Sequence, residues 1–355
     1  MKKLNVAVLG ATGAVGQRFV QLLDGHPWFR VAEVIGSSRS AGQVYGEITN
    51  WVLDGGPPVN VAGLTVKGLD DPIESRLVFS ALPNDAAQTR EAELAAAGHV
   101  VCTNASVNRM VDDIPLLLPE VNADHVRLID VQRANRGWTD GALIANSNCT
   151  VMPVVMALAP LRQFGISKLL TVSAQAISGA GYPGVPSLDI LDNIIPYVSG
   201  DEDKMQSEAL KMLGEFTGER IQPLDAVASA TCTRVPVLDG HLVSLSLELK
   251  EKPSIEEIIA IWQNYQGADP IPSLPSAPAQ PLQYLYQIDR PQTRRDRNAG
   301  NGMATSIGRL RECPILGYRF ATLAHNTIRG AAGGSILNAE LLAVQGYIRD
   351  FQPSA

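Results

Sequence analysis

A chain of 355 residues is long enough for two domains, and 45% apolar with 18% charged residues is the composition of an ordinary globular protein. The net charge of −7 is spread along the sequence with no basic stripe, which argues against nucleic acid as a partner. The longest apolar run, residues 151–161, holds two prolines and falls far short of a membrane span.

The four cysteines lack the paired spacing of a zinc site or a disulfide framework, so no metal is expected and a reducing compartment is the default. Met1-Lys-Lys followed by apolar residues mimics a signal peptide. The glycines that follow, and the missing polar break at a cleavage site, argue otherwise, and the expected location is the cytoplasm.

In chain order, the apolar run Leu4–Leu9 leads directly into Gly10-Ala-Thr-Gly-Ala-Val-Gly16 and then a helix-period segment, Gln17–Leu23. Strand, glycine turn and helix follow in the order a dinucleotide site requires. Gly10 permits the tight turn, Gly13 lets backbone approach a pyrophosphate, and Gly16 lets the helix pack closely on the strand; the helix N-terminus then faces the phosphates. A tight strand–helix turn without a ligand is the plainer alternative. The second strand, Val31–Gly36, ends in Ser37-Ser-Arg-Ser40. An NAD site wants a carboxylate there for the ribose 2′-hydroxyl, whereas hydroxyls and the guanidinium of Arg39 suit the 2′-phosphate of NADP. Glu33 lies inside the strand and is discounted as a ribose ligand. Further strands near 77–82, 99–103 and 142–146, with helical stretches such as 85–97 between them, complete a doubly wound parallel sheet of the Rossmann-like kind. Cys102 reads as a packed thiol, and His26 and His125 as surface residues of loop or helix.

Cys149 stands in Ile144-Ala-Asn-Ser-Asn-Cys-Thr-Val-Met-Pro153, where a strand ends, small polar residues follow and an apolar run with an early proline begins. That pattern mounts a thiol on the first turn of a helix. Pro153 costs little there, and Ser147 or Asn148 can cap the remaining donors. Unpaired N–H groups and the positive helix end favour a thiolate and can receive a developing oxyanion. A small buried core cysteine fits the same segment equally well.

From residue 150 to about 327 the pattern changes to long strands with grouped helices, an α+β substrate domain. Its strands near 168–177, 225–235, 241–250, 303–310 and 316–324 form a mixed or antiparallel sheet. Glu208 and Lys211 are three apart on a helix and project from one face. The strand holding Cys232, a second packed thiol, and Arg234 turns at Leu238-Asp-Gly240, so that His241 opens the next strand at a hairpin end. There Leu245, Leu247 and Leu249 alternate with polar residues. The apolar alternation over 242–249 gives this sheet an open face suited to another subunit. Alone, His241 fits a satisfied structural residue; a cysteine within reach turns it into an acid–base candidate. Residues 269–281, with five prolines, read as a surface connection, and Cys313 beside Pro314 as an inert thiol. His325-Asn326 precede the glycine-rich stretch 329–334 and a final helix, 335–349, which returns to the first domain. Gly333 and Gly334 suit a close approach either to a cofactor or to the sheet.

Together, Gly10–Gly16, Ser147-Asn-Cys-Thr150, Gln175-Ala-Ile-Ser-Gly-Ala-Gly181, the Arg234 to His241 segment and His325-Asn-Thr-Ile-Arg-Gly330 resemble the aspartate-semialdehyde dehydrogenase family. The segment Asn193-Ile-Ile-Pro-Tyr-Val-Ser-Gly-Asp-Glu-Asp-Lys-Met205, with Glu208 and Lys211, is similar to its archaeal and fungal-type branch. The matches run in order over nearly the whole chain. The resemblance implies an NADP-binding domain over 1–149, completed by 328–355, and a catalytic and dimerisation domain over 150–327, assembled as a homodimer or homotetramer. It implies Cys149 as the nucleophile that forms a thioester, His241 as the acid–base group and Gln175 as a residue orienting the acyl-enzyme. Arg234 would pair with the substrate α-carboxylate, Glu208 with the α-ammonium, and Lys211 and Arg109 with phosphate. A planar guanidinium fork suits a carboxylate in a way that lysine does not. The cofactor set is Gly10, Thr12, Gly13, Ala14 and Val15, then Ser37, Ser38, Arg39 and Ser40, then Ser178, Gly179 and Asn326. The implied activity is NADP-dependent reduction of aspartyl phosphate, in biosynthesis of lysine, threonine and methionine. A coenzyme A thioester, as in malonyl-CoA reductases, or N-acetylglutamyl phosphate shares the same thiol chemistry, but neither substrate has an α-ammonium for Glu208. A non-catalytic NADP-binding redox sensor acting through Cys149 would not need the histidine, the arginine and the phosphate-site cations.

Overall fold

The computed structural model describes residues 3–349 and 351; Met1 and Lys2 of the leader-like start, and residues 350 and 352–355 of the expected C-terminal return, lie outside the described residues. The apolar runs of the first part form β1 (Leu4–Leu9), β2 (Phe29–Ile35), β3 (Leu77–Ser80), β4 (Val100–Thr103), β5 (Leu116–Leu117) and β6 (Ala142–Asn146). They pair in the order β2-β1-β3-β4-β6-β5, every neighbour parallel. Continuous apolar strands of this kind require cover on both faces. Helices α1 (Ala14–Leu23), α2 (Asn84–Ala96) and α3 (Leu128–Arg136) lie between the strands in sequence. The edge strand β5 is too short to leave a period in the sequence and was not expected.

Because all six strands run the same way, β1 and β6 end at one edge of the sheet. The glycine turn and Cys149 therefore start from the same edge, where open α/β sheets hold their ligands. The turn has the geometry its residues demand. Gly10 sits at φ +68°, with the Ala81 carbonyl 2.7 Å from where a Cβ would stand. At Gly16 the same construction meets the Gly10 carbonyl oxygen at 2.1 Å, so only glycine lets α1 lie this close to the turn. Gly13 is exposed, with no side chain over it.

The second sheet contains β7 (Ile166–Gln175), β10 (Val227–Arg234), β11 (His241–Leu249), β12 (Leu282–Leu285), β13 (Thr305–Cys313) and β14 (Gly317–Ala324); β8 (Glu215–Phe216) and β9 (Ile221–Gln222) form a separate ribbon. Its order is β10-β7-β11-β14-β13-β12, parallel at β10/β7 and β12/β13 and antiparallel elsewhere. The hairpin expected between Arg234 and His241 does not exist, because β7 lies between β10 and β11. Residues 235–240 instead cross the end of β7, with Val235 N–H donating to Gln175 and Ile177 N–H to Val237. On β11 the buried positions after His241 are Val243, Leu245, Leu247 and Leu249, so its apolar alternation faces the core. The outward face is apolar through β7 and β10 instead, at Leu170, Val172 and Val227.

Helix α4 (Val151–Leu158) is buried along its whole length and joins both sheets in one core, from Leu9, Val101 and Ala145 to Val243, Leu247 and Phe320. Helices α5 (Asp201–Met212) and α6 (Ile255–Asn264) flank it, the latter capped by Ser254 accepting from Glu257 N–H. The last helix, α7 (Gly333–Val344), covers the other face of the first sheet, packing Ile336, Leu337 and Leu341 with Phe19 and Phe79. It is preceded by a wider turn over Ile328–Ala332, and Gly333 and Gly334 press against Met303 and Asn146. Residues 269–281 are more than a surface connection, since Ile271 and Leu274 are buried in this second core. His26 and His125 are buried too. His26 Nε2 meets Glu340 Oε1 at 2.8 Å, and His125 Nε2 meets the Gly214 carbonyl at 3.1 Å. Long-range partners of this kind leave no trace in local sequence. Among the described residues no helix is long and apolar enough to cross a membrane.

Gly16→Ala should lower stability by about 1–3 kcal/mol, because the added methyl overlaps a backbone oxygen that cannot yield without moving β1. Urea denaturation checks this, and an unchanged midpoint would contradict the packing role.

Candidate active site

The lining of the main cavity, about 720 Å³, includes Val15 from the glycine turn, Arg109, Asn148, Cys149, Gln175, Ser178, Gly179, Arg234 and Asn326. Residues that stand far apart in sequence thus meet between the two sheets. Asn84, Asn104, Ser106, Asp201 and Lys204 also line it; nothing in the sequence assigned them a role, though Asp201 and Lys204 belong to the 193–205 segment already noted.

Cys149 is half-buried, two residues before α4 begins at Val151. The expected first-turn placement is thus off by a small step with a consequence. Asn148 Oδ1 accepts from Thr150 N–H at 2.7 Å and from Val151 N–H at 3.3 Å, so these donors are not free for an oxyanion. Asn148 is the cap; Ser147 Oγ makes no bond among the described residues. Burial raises the Cys149 thiol to about 11, with Asp201 adding to the rise, while Arg109 and Arg234 pull it down. Gly330 admits the cysteine, since a Cβ there would stand 2.6 Å from Cys149 Cβ. Cys102 and Cys232 are buried, and burial raises both thiols.

His241 and Arg234 meet at one point. A Cβ on Gly179 would stand 2.8 Å from Arg234 Nη1 and 3.0 Å from His241 Nε2, so this glycine is the floor beneath both groups. His241 Nδ1 accepts from Ala176 N–H at 3.0 Å, which puts the proton of the neutral ring on Nε2. That nitrogen is buried and unpartnered among the described residues. Burial lowers the imidazole to about 3, with Arg234 and His325 contributing, so the ring is neutral. Arg234 donates Nη1 to the Ala176 carbonyl at 2.7 Å, and burial lowers its pKa. Gln175 uses Nε2 on Ser173 Oγ at 3.2 Å.

Two of the expected substrate residues do not reach the cavity lining. Glu208 accepts from Arg109 Nη1 at 3.1 Å and from Asn148 N–H at 2.8 Å, and it is 1% exposed. Lys211 donates to the carbonyls of Arg109, Val111 and Ile114 at 2.8, 2.8 and 3.0 Å, and burial lowers it to about 8. Its three donors are thus spent on the loop behind Arg109. Arg109 itself lines the cavity.

On the cofactor side, Ser37, Ser38 and Arg39 are exposed at the end of β2, whereas Ser40 is buried and closes the turn onto the Ser37 carbonyl. Glu33 is held by Lys67 and the amides of Glu74 and Ser75, so no free carboxylate waits for a ribose 2′-hydroxyl. Asn326 donates to Ser178 Oγ at 2.8 Å and accepts from Gly240 N–H at 2.8 Å, tying the β7 exit to the β11 start. The bare backbone at Gly13 and the exposed hydroxyls and guanidinium fit a phosphorylated dinucleotide.

A nucleotide-binding turn beside an inter-sheet cavity lined by a cysteine and an arginine, with a histidine behind Gly179, is the arrangement of a semialdehyde dehydrogenase. Residues 5–129 match the semialdehyde dehydrogenase NAD binding domain, and residues 158–329 match the semialdehyde dehydrogenase dimerisation domain. The chain is 46% identical to the aspartate-semialdehyde dehydrogenase of Archaeoglobus fulgidus, over 96% of this chain and 98% of that protein. It is 42% identical to that of Schizosaccharomyces pombe, over 97% and 99%. The crystal structure of aspartate semialdehyde dehydrogenase with NADP from Candida albicans superposes with a TM-score of 0.89 at 38% identity, covering 97% of this chain and all (100%) of that one. The chain belongs to the aspartate-semialdehyde dehydrogenase family.

With its thiol raised to about 11, Cys149 should be alkylated by iodoacetamide about tenfold faster per pH unit across the neutral and mildly alkaline range. Peptide mass spectrometry of the labelled protein checks this, and a rate already level at neutral pH would contradict the burial argument.

Proposed function

We propose that the protein reduces L-aspartyl 4-phosphate to L-aspartate 4-semialdehyde with NADPH, releasing phosphate, in the biosynthesis of lysine, threonine and methionine. The observation that carries this reading is one cavity lined by Cys149 and Arg234, with His241 packed behind its Gly179 wall, that also reaches Val15 of the glycine motif. The likeness to the Candida albicans enzyme crystallised with NADP supports the cofactor, as do the exposed Ser37, Ser38 and Arg39.

Cys149 as thiolate attacks the acyl carbon and expels phosphate, leaving a thioester on sulfur. Arg234 grips the α-carboxylate, and Arg109 faces the phosphate. When bound, the nicotinamide supplies the hydride that reduces the acyl carbon. Cleavage of the carbon–sulfur bond then frees the aldehyde and restores the thiolate. Because its neutral ring carries the proton on Nε2, His241 first acts as a hydrogen-bond donor toward sulfur or the developing oxygen. Taking up a proton at Nε2 requires the ring to release Ala176 N–H and change tautomer. Gln175 keeps one amide hydrogen for the same oxygen.

The reading keeps residues 1–149 with 328–355 as the cofactor domain and 150–327 as the catalytic one. It makes the protein a homo-oligomer, a dimer or tetramer, which the exposed Leu170 and Val172 and the match to a dimerisation domain support.

Aspartate semialdehyde should reduce NADP beyond a single turnover per site only when phosphate or arsenate is present, and malonyl-CoA should not oxidise NADPH; the reverse pattern would overturn the assignment. Cys149→Ser should abolish turnover while NADPH binding, read by fluorescence, persists. His241→Asn should cut kcat by about 10²–10⁴ with cofactor affinity unchanged. Arg39→Asp should move the cofactor preference toward NAD, and an unmoved ratio would remove Arg39 from the 2′-phosphate site.

A further inference from the structure

Arg329 carries a guanidinium that solvent does not reach: its side chain is 0% exposed and that of its partner, Glu120, 1%. It belongs to the wide turn Ile328–Ala332, and its neighbours Thr327, Gly330 and Ala331 line the main cavity. The side chain leaves that wall on the reverse side. There Nη2 donates to Glu120 Oε2 at 2.5 Å and lies 3.7 Å from Met156 Sδ on α4, the helix that Cys149 leads into. Glu120 is itself fixed, in the turn Pro119–Asn122 that follows β5. Its carbonyl accepts from the Tyr265 hydroxyl, and its Cα stands 3.1 Å from where a Cβ on Gly267 would be.

Stability does not account for this pair. Burying two charges costs so much desolvation that well-packed apolar residues of similar volume often serve as well or better. The pair is also sparsely satisfied, since Nε and Nη1 of Arg329 and Oε1 of Glu120 have no hydrogen-bond partner among the described residues. What it fixes is the turn in front of it. Gly330 lies so close to Cys149 that a Cβ there would stand 2.6 Å from the cysteine Cβ, and its N–H donates to the His325 carbonyl at 3.0 Å. The Ala331 carbonyl accepts from Asn146 Nδ2 at 3.0 Å, at the end of β6. Wide turns of this kind close each hydrogen bond over one more residue than an α-helix and are frequent at functional sites. Held from behind at Arg329, this one cannot back away from the sulfur.

We propose that Arg329 and Glu120 form a positioning pair, anchoring the turn so that Gly330 confines the Cys149 thiol to the orientation used for attack on the acyl group. This rests on the reading of Cys149 as the nucleophile. Neither charged residue lines the cavity; both act through the turn.

The test is the double variant Arg329→Met/Glu120→Leu, which removes both charges and keeps most of their bulk. Either change alone strands a buried charge and is expected to destabilise the fold strongly. The urea midpoint of the double variant should equal or exceed that of the unaltered protein. Its kcat for phosphate-dependent reduction of NADP by aspartate semialdehyde should fall on the order of ten- to hundredfold, as a misplacement of about 1 Å implies, with the KM for NADP within about twofold. Alkylation of Cys149 by iodoacetamide at fixed pH should become several-fold faster, because the wall over the thiol is looser. Unchanged kcat and alkylation rate would overturn the proposal. So would a midpoint far below that of the unaltered protein, which would make the pair an element of folding, or a parallel loss of kcat and NADPH affinity, which would report a collapsed cavity. If the unaltered protein shows no phosphate-dependent turnover, the aspartate reading fails, while the alkylation comparison still decides whether the pair holds the thiol.

Discussion

Asn148 is held from three directions, and the position of the Cys149 sulfur follows from that grip. Its Oδ1 closes the first turn of α4, its backbone N–H is fixed by Glu208, and its Nδ2 reaches Asp201. Helix α4 is anchored in the core shared by both sheets, and Glu208 is anchored to Arg109. A residue so constrained cannot turn without breaking a cap and moving a buried carboxylate from its partner, each costing on the order of 1–3 kcal/mol. Cys149, next in the chain, therefore meets the cavity in one orientation. Placement of this precision is what makes a weakly ionised thiol useful.

The electrostatics of the cavity pull in opposite directions. Burial keeps the thiol protonated and the imidazole neutral, while Arg109 and Arg234 favour the thiolate. The neutral ring gives its Nδ1 to a backbone amide, which fixes the tautomer and aims Nε2 at the floor formed by Gly179. An imidazolium here would face the Arg234 guanidinium with little solvent between them, so an ion pair of sulfur and histidine is not the resting state. Positive charge comes from the two arginines, and the histidine contributes a directed donor.

Much of this was legible in the chain because the chemistry constrains local sequence. Gly10 and Gly16 show in any strand–turn–helix segment, since no other residue fits their backbone, and the parallel sheet follows from short apolar runs alternating with helical ones. Cys149 was legible through its flanks, a strand end and an early proline. What was hidden depends on distant partners. Nothing near His26 or His125 tells of Glu340 or Gly214, and nothing near Gly240 tells that β7 would separate β10 from β11. Glu208 and Lys211 read as two charged neighbours on one helix face; whether they meet the cavity depends on the Arg109 loop, about a hundred residues away, which engages both. The open face of the second sheet was expected on β11, but burial assigns that alternation to the core and leaves Leu170 and Val172 outward.

The central claim is a covalent bond between Cys149 and the substrate acyl group. The direct measurement is to mix the protein with L-aspartate semialdehyde and NADP without phosphate, quench in acid within the first turnover, and map the adduct by peptide mass spectrometry. The account predicts about one NADPH formed per site, with an aspartyl group on the Cys149 peptide that hydroxylamine removes. NADPH formed without any adduct, or an adduct on a different cysteine, would contradict it.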